Sequence, residues 1–215
     1  MKGLETMKKN TAILKITKSI FKNAKKNKKT NFINTYCTWE NYNVISDSFR
    51  ILATTASLDE IATENFIING ITGIVEGSER LPNTAYLPHP DELRNAIETI
   101  NAEGKQKEIQ IVFSDIVTLN AYWLVEALDA IETKQFKYLD ARHQIMIEDN
   151  ESRFIIMPIA QIKLEKKGKK TFKTWTNSKP TDSPFIYVDD NGTISIIDPT
   201  TSIIEAQTEP ATETA

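Results

Sequence analysis

A single cysteine, Cys37, in 215 residues rules out an internal disulfide and a cysteine-ligated metal cluster, and it fits a reducing, cytoplasmic compartment. Flanked by Tyr36 and Trp39 on a strand pattern, it reads as core rather than as a nucleophile. Histidine is nearly as scarce: His89 and His143 stand without an acid and a nucleophile at a recognisable spacing, so a catalytic triad has little support. Without a local ligand cluster they make no metal site, and His143 reads as an exposed pairing residue on an alternating strand. The seven glycines form neither GxxxxGK[ST] nor GxGxxG, which leaves a phosphate-cradling loop unsupported. No apolar run approaches the length of about 18 that spans a bilayer, and no apolar signal core follows the lysine-rich start. A soluble protein with no recognisable export signal is expected. These absences argue against an enzyme, a metal and a cofactor, and leave binding.

What is present begins with charge. Apolar residues make up 40% of the chain, enough for one sizeable core, and the net charge is only -3. That charge is unevenly spread. Residues 1–30 hold ten lysines and one acid, for +9, and the other 185 hold 16 basic and 28 acidic residues, for -12. Residues 13–16 suit a short strand, after which Thr17 or Ser19 can cap a helix with Ile20, Phe21 and Ala24 facing inward. Lys18, Lys22, Lys25, Lys26 and Lys29 then fall largely on the outer side, a run of like charge that helix propensity alone does not favour. Such a stripe suits an anionic partner such as a phosphate backbone, or it is simply a solvated face.

Further along, residues 31–55 read as three strands, with Tyr36 and Thr38 before the turn Glu40-Asn41, Val44 and Ile45 after it, and Phe49 to Ala53 last. Residues 65–71 are expected as an edge strand ending at Gly70, with another short piece at 74–77. Two prolines keep LPNTAYLPHP extended, and Pro90-Asp91-Glu92 opens a helix through Ile100 that Gly104 stops. Residues 163–170, KLEKKGKK, read as a charged linker and NSKPTDSP as a turn-rich one. Phe185 to Val188 and Thr193 to Ile197, joined by Asp189-Asp190-Asn191-Gly192, carry a hairpin signal, with the two aspartates at the mouth of its turn. TEPATETA at the end is polar and expected to be disordered.

Residues 117–159 carry the densest pattern. From Asn120, a helix cap, Leu124, Ala127, Leu128 and Ile131 recur at three- and four-residue steps, with Glu126, Asp129 and Glu132 opposite. After Thr133 the period becomes two: Phe136 and Tyr138, then Ile145 and Ile147, then the denser Phe154 to Met157. Turns fall at Asp140-Ala141-Arg142 and Asp149-Asn150.

This helix, its meander and the closing Met157-Pro158-Ile159 resemble the last part of the DNA polymerase III beta subunit, the bacterial sliding clamp. That family carries N-x-x-Y-L-hydrophobic-x-A-L here, matched by Asn120, Trp123-Leu124 and Ala127-Leu128 with the aromatic shifted by one place. Its T-D-G-H-R-L-A segment corresponds to Ser46 to Leu52, where Asp47 and Arg50 are retained. The resemblance implies an α+β fold: a single clamp-like domain over residues 1–160, built from two strand-helix-three-strand units with helices on one face and a long connection at 57–108. A charged linker and β-hairpin extension at 161–200 and a tail at 201–215 follow.

By the same resemblance, Lys18, Lys22, Lys25, Lys26 and Lys29 would face double-stranded DNA, and Asp47, Arg50, Ile51, Met157, Pro158 and Ile159 would form a pocket for a polymerase or other replication protein. Glu126, Asp129 and Glu132 depart from it by placing negative charge where DNA would pass. Three readings follow: a reduced clamp-like replication accessory of the kind a phage or mobile element encodes, closing a ring as a homo-oligomer; a monomeric clamp-fold interaction module without DNA affinity; and a structural assembly protein.

Overall fold

The computed structural model describes residues 2–64, 69–102, 104, 106, 108–114, 116–140, 142–159, 161–167, 170–176, 180 and 182–199. It opens on α1 (Lys2–Lys26), followed by the meander β1 (Thr35–Trp39), β2 (Tyr42–Ser46) and β3 (Arg50–Thr54) and the short β4 (Thr63–Glu64). Next come α2 (Asn69–Glu79), β5 (Asn83–Tyr86), α3 (Pro90–Ala102), β6 (Gln110–Phe113) and β7 (Val117–Asn120). The helix α4 (Ala121–Ala130) leads into a second meander, β8 (Gln135–Tyr138), β9 (Ile145–Glu148) and β10 (Ser152–Ile156). Last are β11 (Gln161–Lys167), β12 (Lys170–Thr176), β13 (Phe185–Val188) and β14 (Ile194–Ile197). The α+β class expected from the sequence is what these elements form.

The two meanders meet edge to edge. β3 pairs antiparallel with β10, Leu52 opposite Phe154, which fuses them into one eight-stranded sheet of order β4-β1-β2-β3-β10-β9-β8-β5. On one face lie α1 and α4, packed against each other: Ile13, Ile16 and Ile20 of α1 join Leu124 and Ala127 of α4, Ile45, Leu52 and Phe154 of the sheet in one buried cluster. The opposite face is covered by α2, whose Ile71 and Val75 bury against Cys37, Val44, Ile51, Ala53, Met146 and Ile155. Helices therefore cover both faces of this sheet.

A second sheet, β14-β13-β6-β7, is packed by α3 and continues the larger core through Ile111, Phe113, Leu119, Ile186 and Val188. The C-terminal hairpin is present, and its first strand runs parallel to β6, Ile186 opposite Ile111. Gly192, at φ +84, lies so close to Leu87 that an added Cβ would meet the Leu87 carbonyl at 3.0 Å, so this turn needs glycine for both conformation and space.

Five expectations are corrected. Residues 13–16 are not a strand but part of one continuous helix, because Ile13, Ile16, Ile20 and Ala24 share a face. Thr17 is interior rather than a cap, its hydroxyl donating back to the Ile13 carbonyl at 2.9 Å. Gly70 and residues 74–77 are helical in α2; residues 65–68 lie outside the described residues. Gly70, Gly73 and Gly77 each disfavour a helix by up to about 1 kcal/mol, and burial of Ile71 and Val75 offsets that by about 1.5–3 kcal/mol apiece. Residues 163–167 and 170, expected as linker, lie in strands: β11 and β12 pair antiparallel from Gln161 opposite Thr176 to Lys167 opposite Lys170, and residues 168 and 169 lie outside the described residues. His143 stands on the β8–β9 turn rather than on a strand. The tail at 201–215 and most of NSKPTDSP fall outside the described residues.

Candidate nucleic-acid interface

α1 sorts its residues by angle. At about 100° per residue, its apolar positions fill one side, and Lys15, Lys18, Lys22, Lys25 and Lys26 are exposed on the other, with Lys29 exposed beyond the end of the helix, which corrects its expected place on the helix face. Among the described residues none of these six lysines meets an acidic partner. Lys9 is the exception on this helix, bridging Asp149 at 2.7 Å and Glu151 at 2.8 Å and so clamping α1 to the β9–β10 turn.

Along the boundary between that lysine face and α4 runs a polar seam. Arg50, only 1% exposed, donates from Nε at 2.9 Å and from Nη2 at 2.7 Å to Asp47 Oδ2, and from Nη1 to Glu126 at 2.5 Å and to Ser19 at 3.2 Å. Asn23 of α1 donates to Asp47 at 2.8 Å, and the Ser19 hydroxyl to Glu126 at 2.7 Å. The Arg50 guanidinium also lies 4.9 Å from the Trp123 ring centre. One buried cation thus holds the β2–β3 turn, α1 and α4 together, with both its carboxylate partners hydrogen-bonded.

This seam also settles the charge on α4. Glu126 is spent on Arg50, and Asp129 pairs with Arg94 of α3. Each of these two acids is therefore held in an ion pair, each arginine also serving a second carboxylate, Asp47 for Arg50 and Asp91 for Arg94, and Glu132 lies beyond the end of α4.

The pocket residues divide. Asp47, Arg50 and Ile51 are buried rather than displayed in an open pocket: the first two form the seam, and Ile51 sits under α2. Met157, Pro158 and Ile159 are half-buried. They are nonetheless brought beside the same turn, since the Met157 N–H donates to the Phe49 carbonyl at 2.9 Å and the Ile159 N–H to the Thr118 carbonyl at 2.8 Å. The exposed residue at this place is Phe49, at 41%, its ring 6.2 Å from Trp123. Sequence reasoning treated Phe49 only as a departure from a motif; the signal available was an aromatic inside an Asp-Ser turn, where side chains point outward.

Among the described residues, no group of three or more His, Cys, Asp or Glu is placed to hold a metal ion. Burial pushes the Cys37 thiol up, away from a reactive thiolate. His143 is engaged with Asp140 at 2.7 Å, which holds that carboxyl down at about 2, and Asp189 caps its hairpin turn through the N–H groups of Asn191 and Thr193. No described helix is long and apolar enough to cross a membrane.

No protein-family model and no curated protein matches the chain. Among solved structures it is similar to the pol III beta protein of Caulobacter crescentus, at 11% identity and TM-score 0.35, over 55% of this chain and 54% of that one. It is also similar to the Helicobacter pylori beta clamp bound to a DNA ligase peptide, at 15% identity and TM-score 0.29, over 57% of this chain and 41% of that one. The DNA polymerase III beta subunit of Thermotoga maritima gives 15% identity and TM-score 0.29, over 55% and 41%. The chain thus spans about half the length of the first of these clamps and less of the other two.

Proposed function

We propose that this chain is a non-catalytic, sliding-clamp-like accessory of DNA replication, of the kind a phage or mobile element encodes, that holds the DNA backbone through the lysine face of α1 and keeps a replication protein beside it. The observation that carries this reading is the pattern of ion pairing. Both acids of α4 are held in ion pairs, Glu126 with Arg50 and Asp129 with Arg94, while Lys15, Lys18, Lys22, Lys25 and Lys26 of α1 are exposed and meet no acidic partner among the described residues. A face whose acids are engaged in ion pairs and whose lysines are free attracts phosphate without reading bases. The motif resemblance at Asp47, Arg50 and Met157-Pro158-Ile159 supplies the replication context.

Charge reversal tests it. Lys22→Glu, Lys25→Glu and Lys26→Glu together should weaken binding to duplex DNA and flatten its salt dependence by about 0.9 of a log unit per lost phosphate contact. Unchanged binding would remove the DNA-holding role.

A second reading, a monomeric module that engages a replication protein without encircling DNA, draws on the half-buried Met157-Pro158-Ile159 segment. Mass in solution separates the two. A closed ring of six single-domain copies should weigh about six times 24.4 kDa, and a species of 24.4 kDa that ignores DNA would favour the module.

A further inference from the structure

We infer that the exposed ring of Phe49, with Trp123 beside it, is a stacking site for the bases of a single-stranded nucleic acid whose phosphates follow the α1 lysines. The inference rests on the reading of α1 as a phosphate-holding face and adds the class of strand it takes.

The Phe49 ring is displayed by a fixed turn. Asp47 Oδ1 accepts the N–H groups of Phe49 and Arg50 at 2.9 and 2.8 Å, Ser48 adopts φ +77, and the Phe49 carbonyl receives Met157. Ser46 closes the turn further, its hydroxyl donating to the Arg50 carbonyl at 2.9 Å and accepting the Ser48 N–H at 3.0 Å. An aromatic side chain held out by such a turn loses little freedom when a flat ring stacks on it. Trp123, tilted 33° to Phe49, supplies a second aromatic surface, steadied from below by the Arg50 guanidinium.

Phosphate-binding charge lies next to it. Ser19 and Asn23 are the α1 residues that touch this turn, through Arg50 and Asp47. Around the helix, Lys26 is displaced by about 20° and Lys22 by about 60° from Ser19. The lysine stripe therefore borders the seam on which the aromatic pair stands. Basic groups flanking an exposed aromatic ring, with the half-buried Trp123 beside it, match the requirements of a single strand, which offers phosphates and unstacked bases together. A duplex keeps its bases stacked inside and would use the lysines alone. A peptide partner would use the aromatics and leave the lysines unengaged.

The test compares labelled oligo-dT with a duplex of equal length by fluorescence anisotropy on the full chain. Phe49→Ala should lower oligo-dT affinity about tenfold and leave duplex affinity unchanged, and Phe49→Tyr, which keeps a stacking ring, should restore it. Lys22→Glu with Lys26→Glu should weaken both ligands. If Phe49→Ala leaves oligo-dT binding intact while the lysine variants still weaken the duplex, the stacking site is wrong and the aromatic pair faces a protein, with the phosphate-holding reading of α1 still standing. Loss of both ligands to equal degree in Phe49→Ala would overturn the site as well. Absence of all binding by the unmodified chain would sink both inferences.

Discussion

The two halves of the main sheet solve the same local problem in different ways. In the first, Asp47 opens the β2–β3 turn; in the second, Asp149 opens the β9–β10 turn. Each aspartate accepts the N–H groups two and three residues on: Phe49 and Arg50 in one case, Glu151 and Ser152 in the other. Each also donates its own N–H to the carbonyl three residues later, and each is gripped by α1, through Asn23 and Lys9. The turns differ at their fourth position. Arg50 is a buried charge that reaches across to α4, whereas Ser152 shares a short bond with Thr54 at 3.1 Å inside the sheet. One turn is therefore a tie between elements, and its counterpart a closure within one. The difference follows the charge on the helices: the tie pairs an acid on α4 with a cation from the turn and takes up no α1 lysine, whereas the β9–β10 turn takes up Lys9.

Removing the tie should break this comparison most sharply. Arg50→Ala leaves Asp47 buried without its cation and should cost about 3–5 kcal/mol, against about 1 kcal/mol for Ser152→Ala, which removes one neutral hydrogen bond. Urea unfolding measures both, and equal losses would mean that Arg50 does no more than Ser152. A smaller effect sits at the outer turns. The β8–β9 turn is pinned by Asp140, held down at about 2 chiefly by its bond to His143, with the Arg142 N–H also donating to it. The β1–β2 turn has Glu40 at φ +52 instead. A carboxyl with a depressed native pKa contributes stability above its unfolded value of about 3.9 and loses that contribution as pH falls toward about 2. Corrected for the intrinsic exchange rate at each pH, amide protection between pH 5 and pH 2 should therefore fall in the β8–β9 turn before the β1–β2 turn, and simultaneous loosening would count against the pin.

Local pattern was enough for much of this. The six meander strands, α3 with Pro90 at its start, the cap in which the Asn120 side chain accepts from Tyr122 and Trp123, and the Asn191-Gly192 turn are each specified by residues a few positions apart. Readings failed where a local signal was weak or opposed to packing. Ile13 and Ile16 fit a strand over four residues and a helix over twelve, and only the neighbouring Ile20 and Ala24 decide between them. Gly70, Gly73 and Gly77 argue against a helix that exists because the back of the sheet needs Ile71 and Val75 to cover it. At the site, the lysine stripe was legible from its spacing, whereas the fate of Arg50 was not, because a motif that marks a position says nothing about its depth.

From its order of residues alone, this protein was determined to be an α+β chain with a basic first helix, two meanders and no catalytic signature, since periodicity, turn chemistry and net charge act over short separations. Which acids are paired, which lysines stay free and which aromatic reaches the surface were decided only by the tertiary structure. Those outcomes depend on pairs such as Arg50 and Glu126, far apart in the chain, and the energy of an ion pair or of burial is set by distance in space.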